Sequence, residues 1–436
     1  MSGSDVTVGI DIGTTSVKAV AADGDGNVVA RARVPHRLLI PSPDKMEHDA
    51  GQAWRRGPRR ALAALGDVGA QAVCVASMIP SMCAVNRRGV PISPGLLYGD
   101  ERGRTGSSAN PGGSGETVAF LQWCAREYPQ AGGYWPAPAV ANCALAGEGV
   151  VDSMTAMAAF PLYTGTEWDA ATLAEAGVKP SQMPRVEING VAIGKVGDAV
   201  LGSSTVDAIG EQLVAGADDD GDVLVICGTT LIMWAVIPEW REVPGLWTVP
   251  HTAPGKILVG GASNAGGLFL NWASKLLGRG DRPADPRAVP VWVPYVRGER
   301  TPFHDPTRRA SLADLDLTHN GGAARRAAFE SAGFVVRHHL ELAGVEPRRI
   351  VATGGGVRVE EWVQSLADCT GLPVDVVAVP EGGALGAAFQ ARLAVGLESQ
   401  MSDGSRWART ARRVEPDPAW ATACAGRYER FRELVG

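Results

Sequence analysis

Twice along this chain a short apolar run stops at Gly-Thr-Thr and a second apolar run begins directly after it. The first copy, Gly13-Thr14-Thr15, separates Val6–Ile12 from Val17–Ala22; the second, Gly228-Thr229-Thr230, separates Val223–Cys227 from Leu231–Ile237. Apolar runs this short on both sides of a tight turn read as strand, turn, strand, since a stable helix needs more length. Two copies of one device far apart suggest two related halves. The chain has 436 residues, and at roughly 150 residues per domain that length accommodates two or three.

The surrounding pattern makes both halves α/β. In the first, Asp23–Asn27 is a turn and Val28–Val34 a third strand, completing an antiparallel meander. A helix follows over Ala53–Leu65, then a buried strand at Ala72–Ala76, and a turn at Asn86–Gly89 leading to Leu96–Tyr98. Residues 103–117, rich in Gly, Ser, Asn and Pro, read as a surface loop. Helical stretches around 118–127 and 152–159 precede a loop from Pro180–Pro184 into Val191–Val196. The second half runs through a helix at Ser204–Ala215, an acidic turn at Asp218–Asp220 and the strands around Gly228. Beyond them, Ala323–Leu342, Glu360–Thr370, Ala384–Leu397 and 415–434 read as helices, and Arg349–Ala352 and Val374–Val377 as strands. Mixed sheets in two domains, 1–200 and 201–436, are expected.

Composition removes several classes of function. With 45% hydrophobic and 20% charged residues the chain has material for real cores, which excludes a disordered protein. The net charge is −6 with no basic stripe or arm, so no nucleic-acid partner is expected. No apolar run approaches ~18 residues and no export pattern opens the chain, so no membrane partner is expected either. The seven cysteines contain no Cys-x-x-Cys pair, which suits free thiols in a reducing cytoplasm and argues against a zinc framework.

What remains is chemistry by carboxylates and phosphate clamps. Asp11 ends a strand just before Gly13-Thr14-Thr15. Successive amides of a tight turn make an anion nest, and the hydroxyls add donors. Asp11 beside it would collect hydrated Mg²⁺, which keeps most of its waters and takes one or two carboxylates. The same residues also suit a plain hairpin whose Asp and Thr satisfy local backbone groups. Gly228-Thr229-Thr230 repeats the device, so that a phosphate chain could be clamped twice. Gly354-Gly355-Gly356, between a strand and a helix, either admits a flat adenine face or is a flexible turn. Asp207 begins a helix at the junction of the halves. It is placed to take a hydroxyl proton in phosphoryl transfer, and equally placed as a helix-start Asp favoured by the macrodipole.

Taken together, these stretches resemble the FGGY carbohydrate kinases of the actin/hexokinase superfamily over nearly the whole chain. Gly9-Ile10-Asp11-Ile12-Gly13-Thr14-Thr15-Ser16-Val17-Lys18 is similar to their first phosphate motif. Gly95–Arg102 is similar to their Trp-x-Asp-x-Arg sugar segment, with Tyr98 in the place of Trp. Val150–Ala156 resembles their Asp-x-Ser-x-Ala stretch, and Val293-Pro294-Tyr295-Val296-Arg297-Gly298-Glu299-Arg300-Thr301-Pro302 is the most specific match. Gly354–Gly356 and Glu381–Ala388 resemble the adenosine motif and the helix after it.

The resemblance implies two ribonuclease-H-like (actin-like ATPase) domains of mixed sheets flanked by helices, with the active-site cleft between them. The first domain would bind sugar and phosphate, the second the nucleotide. Carried over by position, Asp11 is the metal ligand and Asp207 the catalytic base. Gly13, Thr14, Thr15, Lys18, Gly228, Thr229, Thr230, Gly354, Gly355 and Gly356 bind ATP. Met78, Ile79, Asp100, Arg102 and Asp207 bind the acceptor. The implied cofactors are ATP and Mg²⁺, and the implied partner is a small sugar or polyol; a homodimer stays open. Within the family the pattern is most like the kinases of xylulose, giving D-xylulose 5-phosphate. Met78-Ile79-Pro80 stands where those kinases usually have Met-His-Gly, which removes a histidine donor near the sugar. Another pentulose, a tetritol or glycerol therefore stays open as acceptor, as does a nucleotide-binding regulator with little turnover.

Overall fold

Both Gly-Thr-Thr turns join two antiparallel strands, and in both halves the sheet continues into parallel strands. The computed structural model describes residues 5–103, 115–278 and 284–436. In the first half, β1 (Thr7–Ile12), β2 (Ser16–Ala22) and β3 (Val28–Pro35) pair antiparallel, Asp11 facing Lys18 across the ladder. β4 (Ala72–Ser77) then adds parallel to β1. The far edge of β4 is shared. Near its start it pairs with a hairpin made of β5 (Ala192–Val196) and β6 (Ala199–Gly202), and at its end with the short β7 (Thr205–Val206). β1 and β4 are buried along their whole length, as strands covered on both faces must be.

The second half repeats this plan. β8 (Asp222–Cys227), β9 (Leu231–Ile237), β10 (Trp247–Pro250) and β11 (Ile257–Ser263) pair antiparallel in the order β8-β9-β11-β10. β12 (Arg349–Thr353) and β13 (Val374–Val377) add parallel beyond β8, and β14 (Thr410–Val414) closes the edge antiparallel. The helices Gly321–Ala343, Glu360–Thr370 and Pro418–Val435 pack Phe334, Trp362, Tyr428 and Phe431 into this half's core. The expected fold class, mixed sheets flanked by helices in two ribonuclease-H-like halves, is the one found.

The division of the chain is not a single cut at residue 200. Met1–Val214 forms one compact unit with Glu381–Trp407, and Ala215–Pro380 forms the other with Ala408–Gly436. The reason is the helix Gly382–Leu393, of which all but the last residue is buried; it lies against β1 and against the helix Asp207–Leu213. Its glycines permit the approach. A Cβ on Gly386 would come within 2.1 Å of the Gly210 carbonyl oxygen.

Smaller departures have local causes. The helix expected over Ala53–Leu65 is a wide π turn at Gly51–Arg56 followed by Gly57–Leu65. The loop expected at 103–117 lies outside the described residues from 104 to 114, and Gly115–Glu127 is helix. The helix expected from Ser204 starts at Asp207, because Thr205 and Val206 are drawn into the sheet beside β4. β10, β11 and the helix Gly267–Leu277 were not expected from the sequence.

Candidate functional site

The register of the first sheet gathers three of the candidate residues. β4 lies between β1 and β7, all three parallel, with Ser77 opposite Ile12 on one side and Val206 on the other. Asp11, Met78 and Asp207 therefore stand at three adjacent strand ends pointing the same way. In α/β sheets that edge, outside the carboxyl ends of parallel strands, is where ligands bind.

Asp11 is 4% exposed. Its Oδ2 accepts from Lys18 Nζ at 3.0 Å, and its Oδ1 has no hydrogen-bond partner among the described residues. The Asp11 carboxylate raises the Lys18 ammonium above its ordinary pKa against the opposing effect of burial, with help from Glu211 and Glu381. Gly383, at the start of the helix Gly382–Leu393, leaves the space over the carboxylate open; a Cβ there would lie 3.4 Å from Asp11 Cγ. Among the described residues no group of three or more His, Cys, Asp or Glu could hold a metal. A single carboxylate oxygen without a partner still fits Mg²⁺, which retains most of its water shell.

The Gly13-Thr14-Thr15 turn is fastened from several directions. The Gly13 amide donates to the Ser16 carbonyl at 3.1 Å, and the carbonyls of Gly13 and Thr14 meet Nε2 of His36 and of His48 at 3.0 and 2.8 Å. Trp54 Nε1 donates to His48 Nδ1 at 3.0 Å. Indole is only a donor, so His48 Nδ1 accepts and Nε2–H donates to Thr14. Burial lowers the His48 pKa to about 4, which keeps this ring neutral. Thr14 is buried with its Oγ1 2.6 Å from the Tyr98 hydroxyl, whereas Thr15 is exposed.

Asp100 is fully buried and fully engaged. Its Oδ2 accepts from the Met46 amide at 2.7 Å and from Arg102 Nη2 at 2.6 Å; its Oδ1 accepts from the Arg102 amide and Nε. Arg102 Nη2 also donates to Glu47 Oε2 at 2.5 Å. Asp100 thus orients Arg102. Met78 is buried, and Ile79 lines an apolar cavity of about 20 Å³ with Pro80, Met82, Val151 and Trp168. Asp207 is half-buried, its Oδ1 accepting from the Ala208 amide at 2.7 Å. Asp152 is not a ligand-facing group. It caps the helix Ser153–Met157 through Thr155 and holds Ser204, just ahead of β7.

In the second unit, β8 and β12 are parallel neighbours with Ile226 opposite Thr353, so the turns Gly228–Thr230 and Gly354–Gly356 leave adjacent strand ends. The Gly228 and Thr229 carbonyls accept from the first amides of the helix Gly267–Leu277, both at 2.9 Å. Gly354 has φ +87°, and a Cβ on it would lie 3.0 Å from the Cys227 carbonyl oxygen. Gly355 is exposed, and a Cβ there would meet nothing within 4 Å, which leaves a bare backbone surface. The string Val293–Pro302 braces this unit: Glu299 accepts from Ser263 Oγ and the amides of Asn264 and Arg300, at the end of β11. Ser263 faces Leu231 in the ladder, directly after the Gly-Thr-Thr turn.

Two family models match this chain. Residues 6–78 match the N-terminal domain, and residues 223–395 the C-terminal domain, of the FGGY family of carbohydrate kinases. The chain belongs to that family. Among its relatives, the xylulose kinase of Escherichia coli is 27% identical over 478 residues, covering 98% of each chain. The glycerol kinase of Bordetella parapertussis is 26% identical, covering all of this chain and 97% of the relative. The crystal structure of xylulose kinase from Rhodospirillum rubrum matches with TM-score 0.78 and 27% identity over 99% of this chain and 98% of that one. A kinase from Brucella ovis, at 22% identity and TM-score 0.80 with 98% of each chain covered, supports the fold.

For this FGGY kinase the sequence reading missed the layer beneath the Gly13-Thr14-Thr15 turn, His36, His48 and Trp54, and the Glu47 partner of Arg102. Isolated histidines beside a short polar segment carry no spacing signal. The one available clue was a dense run of polar residues, Glu47-His48-Asp49, just ahead of Trp54.

Proposed function

We propose that this FGGY kinase transfers the γ-phosphate of ATP to a hydroxyl of D-xylulose, giving D-xylulose 5-phosphate and ADP. The observation that carries this reading is the convergence of Asp11, Met78 and Asp207 at three adjacent parallel strand ends. The choice of xylulose is supported by relatives named xylulose kinase from Escherichia coli, Klebsiella pneumoniae and Streptomyces coelicolor.

In this reading Asp207 takes the proton of the acceptor hydroxyl as its oxygen bonds to phosphorus and the bond to ADP breaks. Met78, Ile79 and Arg102 hold the acceptor, with Asp100 fixing the Arg102 fork. Gly13, Thr14, Thr15 and Lys18 serve the phosphates; Gly228, Thr229, Thr230 and Gly354–Gly356 serve the nucleotide. The Asp11 oxygen without a partner among the described residues is assigned to Mg²⁺, which when bound neutralises phosphate charge. Seven free thiols suit a cytoplasmic enzyme.

A second reading, with glycerol as the acceptor, is favoured by two observations. The glycerol kinase relative matches the full chain, and Ile79 supplies no donor where a sugar hydroxyl would be read. ADP release measured with D-xylulose, L-xylulose, D-ribulose, L-ribulose, erythritol and glycerol decides between them. Turnover of D-xylulose with the highest kcat/KM supports the first reading. Turnover of glycerol alone would replace it, and no turnover with any acceptor would remove the kinase reading.

A further inference from the structure

Under the Gly13-Thr14-Thr15 turn, four side chains are joined in a line. Trp54 donates to His48, His48 donates to the Thr14 carbonyl, and the Thr14 hydroxyl lies 2.6 Å from that of Tyr98. Both ends of this line are rooted in the acceptor segment. His48 pairs with Gly95 across the ladder formed by Glu47–His48 and Gly95–Leu97. The Trp54 ring sits so close that a Cβ on Gly95 would come within 2.4 Å of it, and Tyr98 follows the same strand directly. Successive strand residues point to opposite faces. Glu47 accordingly reaches Arg102 while His48 reaches Thr14.

This arrangement changes what the two threonines can do. Thr14 is 8% exposed and its hydroxyl is already paired, whereas Thr15 is exposed. We propose that the Tyr98–Thr14 hydroxyl pair is a positioning device, holding the phosphate turn in register with the acceptor segment, and that Thr15 supplies the hydroxyl that meets phosphate. The proposal rests on the kinase reading above.

The test is a double-mutant cycle on the full chain: Tyr98→Phe, Thr14→Val and both together. Steady-state kinetics with ATP and the best acceptor of the panel are read beside ATP affinity from calorimetry and beside Tm. Either single change is expected to lower kcat and weaken ATP affinity, each by up to roughly tenfold, with the acceptor KM little changed, as for one lost neutral hydrogen bond. The double variant is expected to be no worse than either single, because partners in one bond are not additive. Thr15→Val is expected to raise the ATP KM with the Tyr98 bond intact.

Effects that add in the double variant overturn the proposal, as does a loss of Tm with unchanged kcat. If Tyr98→Phe does not fold, Thr14→Ser and Thr14→Val carry the test, since only serine keeps the hydroxyl; equal rates for the two overturn it. The calorimetric cycle requires no turnover. An inactive parent therefore counts against the kinase reading alone, and non-additive ATP affinity still supports the pair.

Discussion

The backbone of Gly9 in β1 lies directly beneath the carbonyl of Ala384: a Cβ on Gly9 would come within 1.8 Å of that oxygen. No rotamer relieves a clash between a Cβ and a backbone oxygen, so Gly9→Ala must push the helix Gly382–Leu393 off the strand. Overpacking of this kind costs about 1–3 kcal/mol. A matching loss of stability in urea unfolding is expected. A fall in turnover is expected too, because Gly383 on the displaced helix sits over Asp11. An alanine variant with parental stability would mean the helix is not seated as described.

Asp11 carries the second prediction. One oxygen is held by Lys18 and the other has no partner among the described residues, an arrangement that costs free energy unless a ligand completes it. Asp11→Asn keeps the shape and removes the charge. The expected outcome is a raised Mg²⁺ requirement, with the circular dichroism spectrum of the parent. A variant that titrates with Mg²⁺ as the parent does would make Asp11 a turn residue only.

Asp207 is separable from the metal. It begins the helix after β7 with its Oδ1 accepting from the Ala208 amide, whereas Asp11 is held by Lys18. If it accepts the hydroxyl proton, Asp207→Asn lowers kcat by about 10²–10⁴. ATP affinity is expected to change little, since no residue of the Gly13–Thr15 turn is altered. Near-parental kcat in a folded variant would reduce Asp207 to a helix-start residue.

How much of this was legible in the sequence follows from the range of the interactions involved. The strands flanking Gly13 and Gly228 announced themselves, because period and turn chemistry are local. The place of Asp207 was legible as a motif position, but the reason for it was not: Thr205 and Val206 leave the helix because a free length of β4 edge is available, and that edge, Ala76 and Ser77, is built far earlier in the chain. Asp100 read as a group that grips substrate. Only the packing of Met46, Glu47 and Arg102 around it shows that its oxygens are already taken. The unit boundary failed for the same reason. Residues 382–393 return to β1 across the whole intervening half, and no composition shift marks the return.

Glu299 gives a pH dependence of stability. Burial pushes its carboxyl up to about 8, although Ser263, Arg300 and Asn264 donate to it. An unfolded glutamate titrates near about 4.3. Between those values the folded protein holds a proton that the unfolded chain releases, so this group's contribution to stability falls as pH rises through the window. Glu299→Gln resembles the protonated form and is indifferent to pH. The Tm of the parent, taken relative to the Gln variant, is therefore expected to decline between about pH 5 and pH 8. A constant difference across that range would show that Glu299 is ionised in the fold.

The last prediction concerns how the acceptor is held, and it follows from the occupied state of Asp100. With both Asp100 oxygens bonded inside the protein and no donor on Met78 or Ile79, the fixed polar group of the segment is the Arg102 fork. Removing it outright would strand Asp100 as an unpaired buried charge, and breaking such a pair costs about 3–5 kcal/mol. The informative change is Arg102→Lys, which keeps the charge. Arginine presents five donors in a planar fork, and here that fork already spans Asp100 and Glu47; an ammonium is a point charge that cannot span both and still face a hydroxyl. The fold is expected to survive with a modest loss of Tm. The acceptor KM is expected to rise by roughly tenfold or more, the scale of a lost hydrogen bond to a charged group. The ATP KM is expected to stay near the parent's, because Thr14 is tied to Tyr98 and His48 rather than to Arg102. Should the acceptor KM stay put while kcat falls, Arg102 acts on the transferring phosphate and the acceptor is read elsewhere. Should both KM values rise together, the Glu47–His48 strand has moved as a body, and the two subsites are not independent.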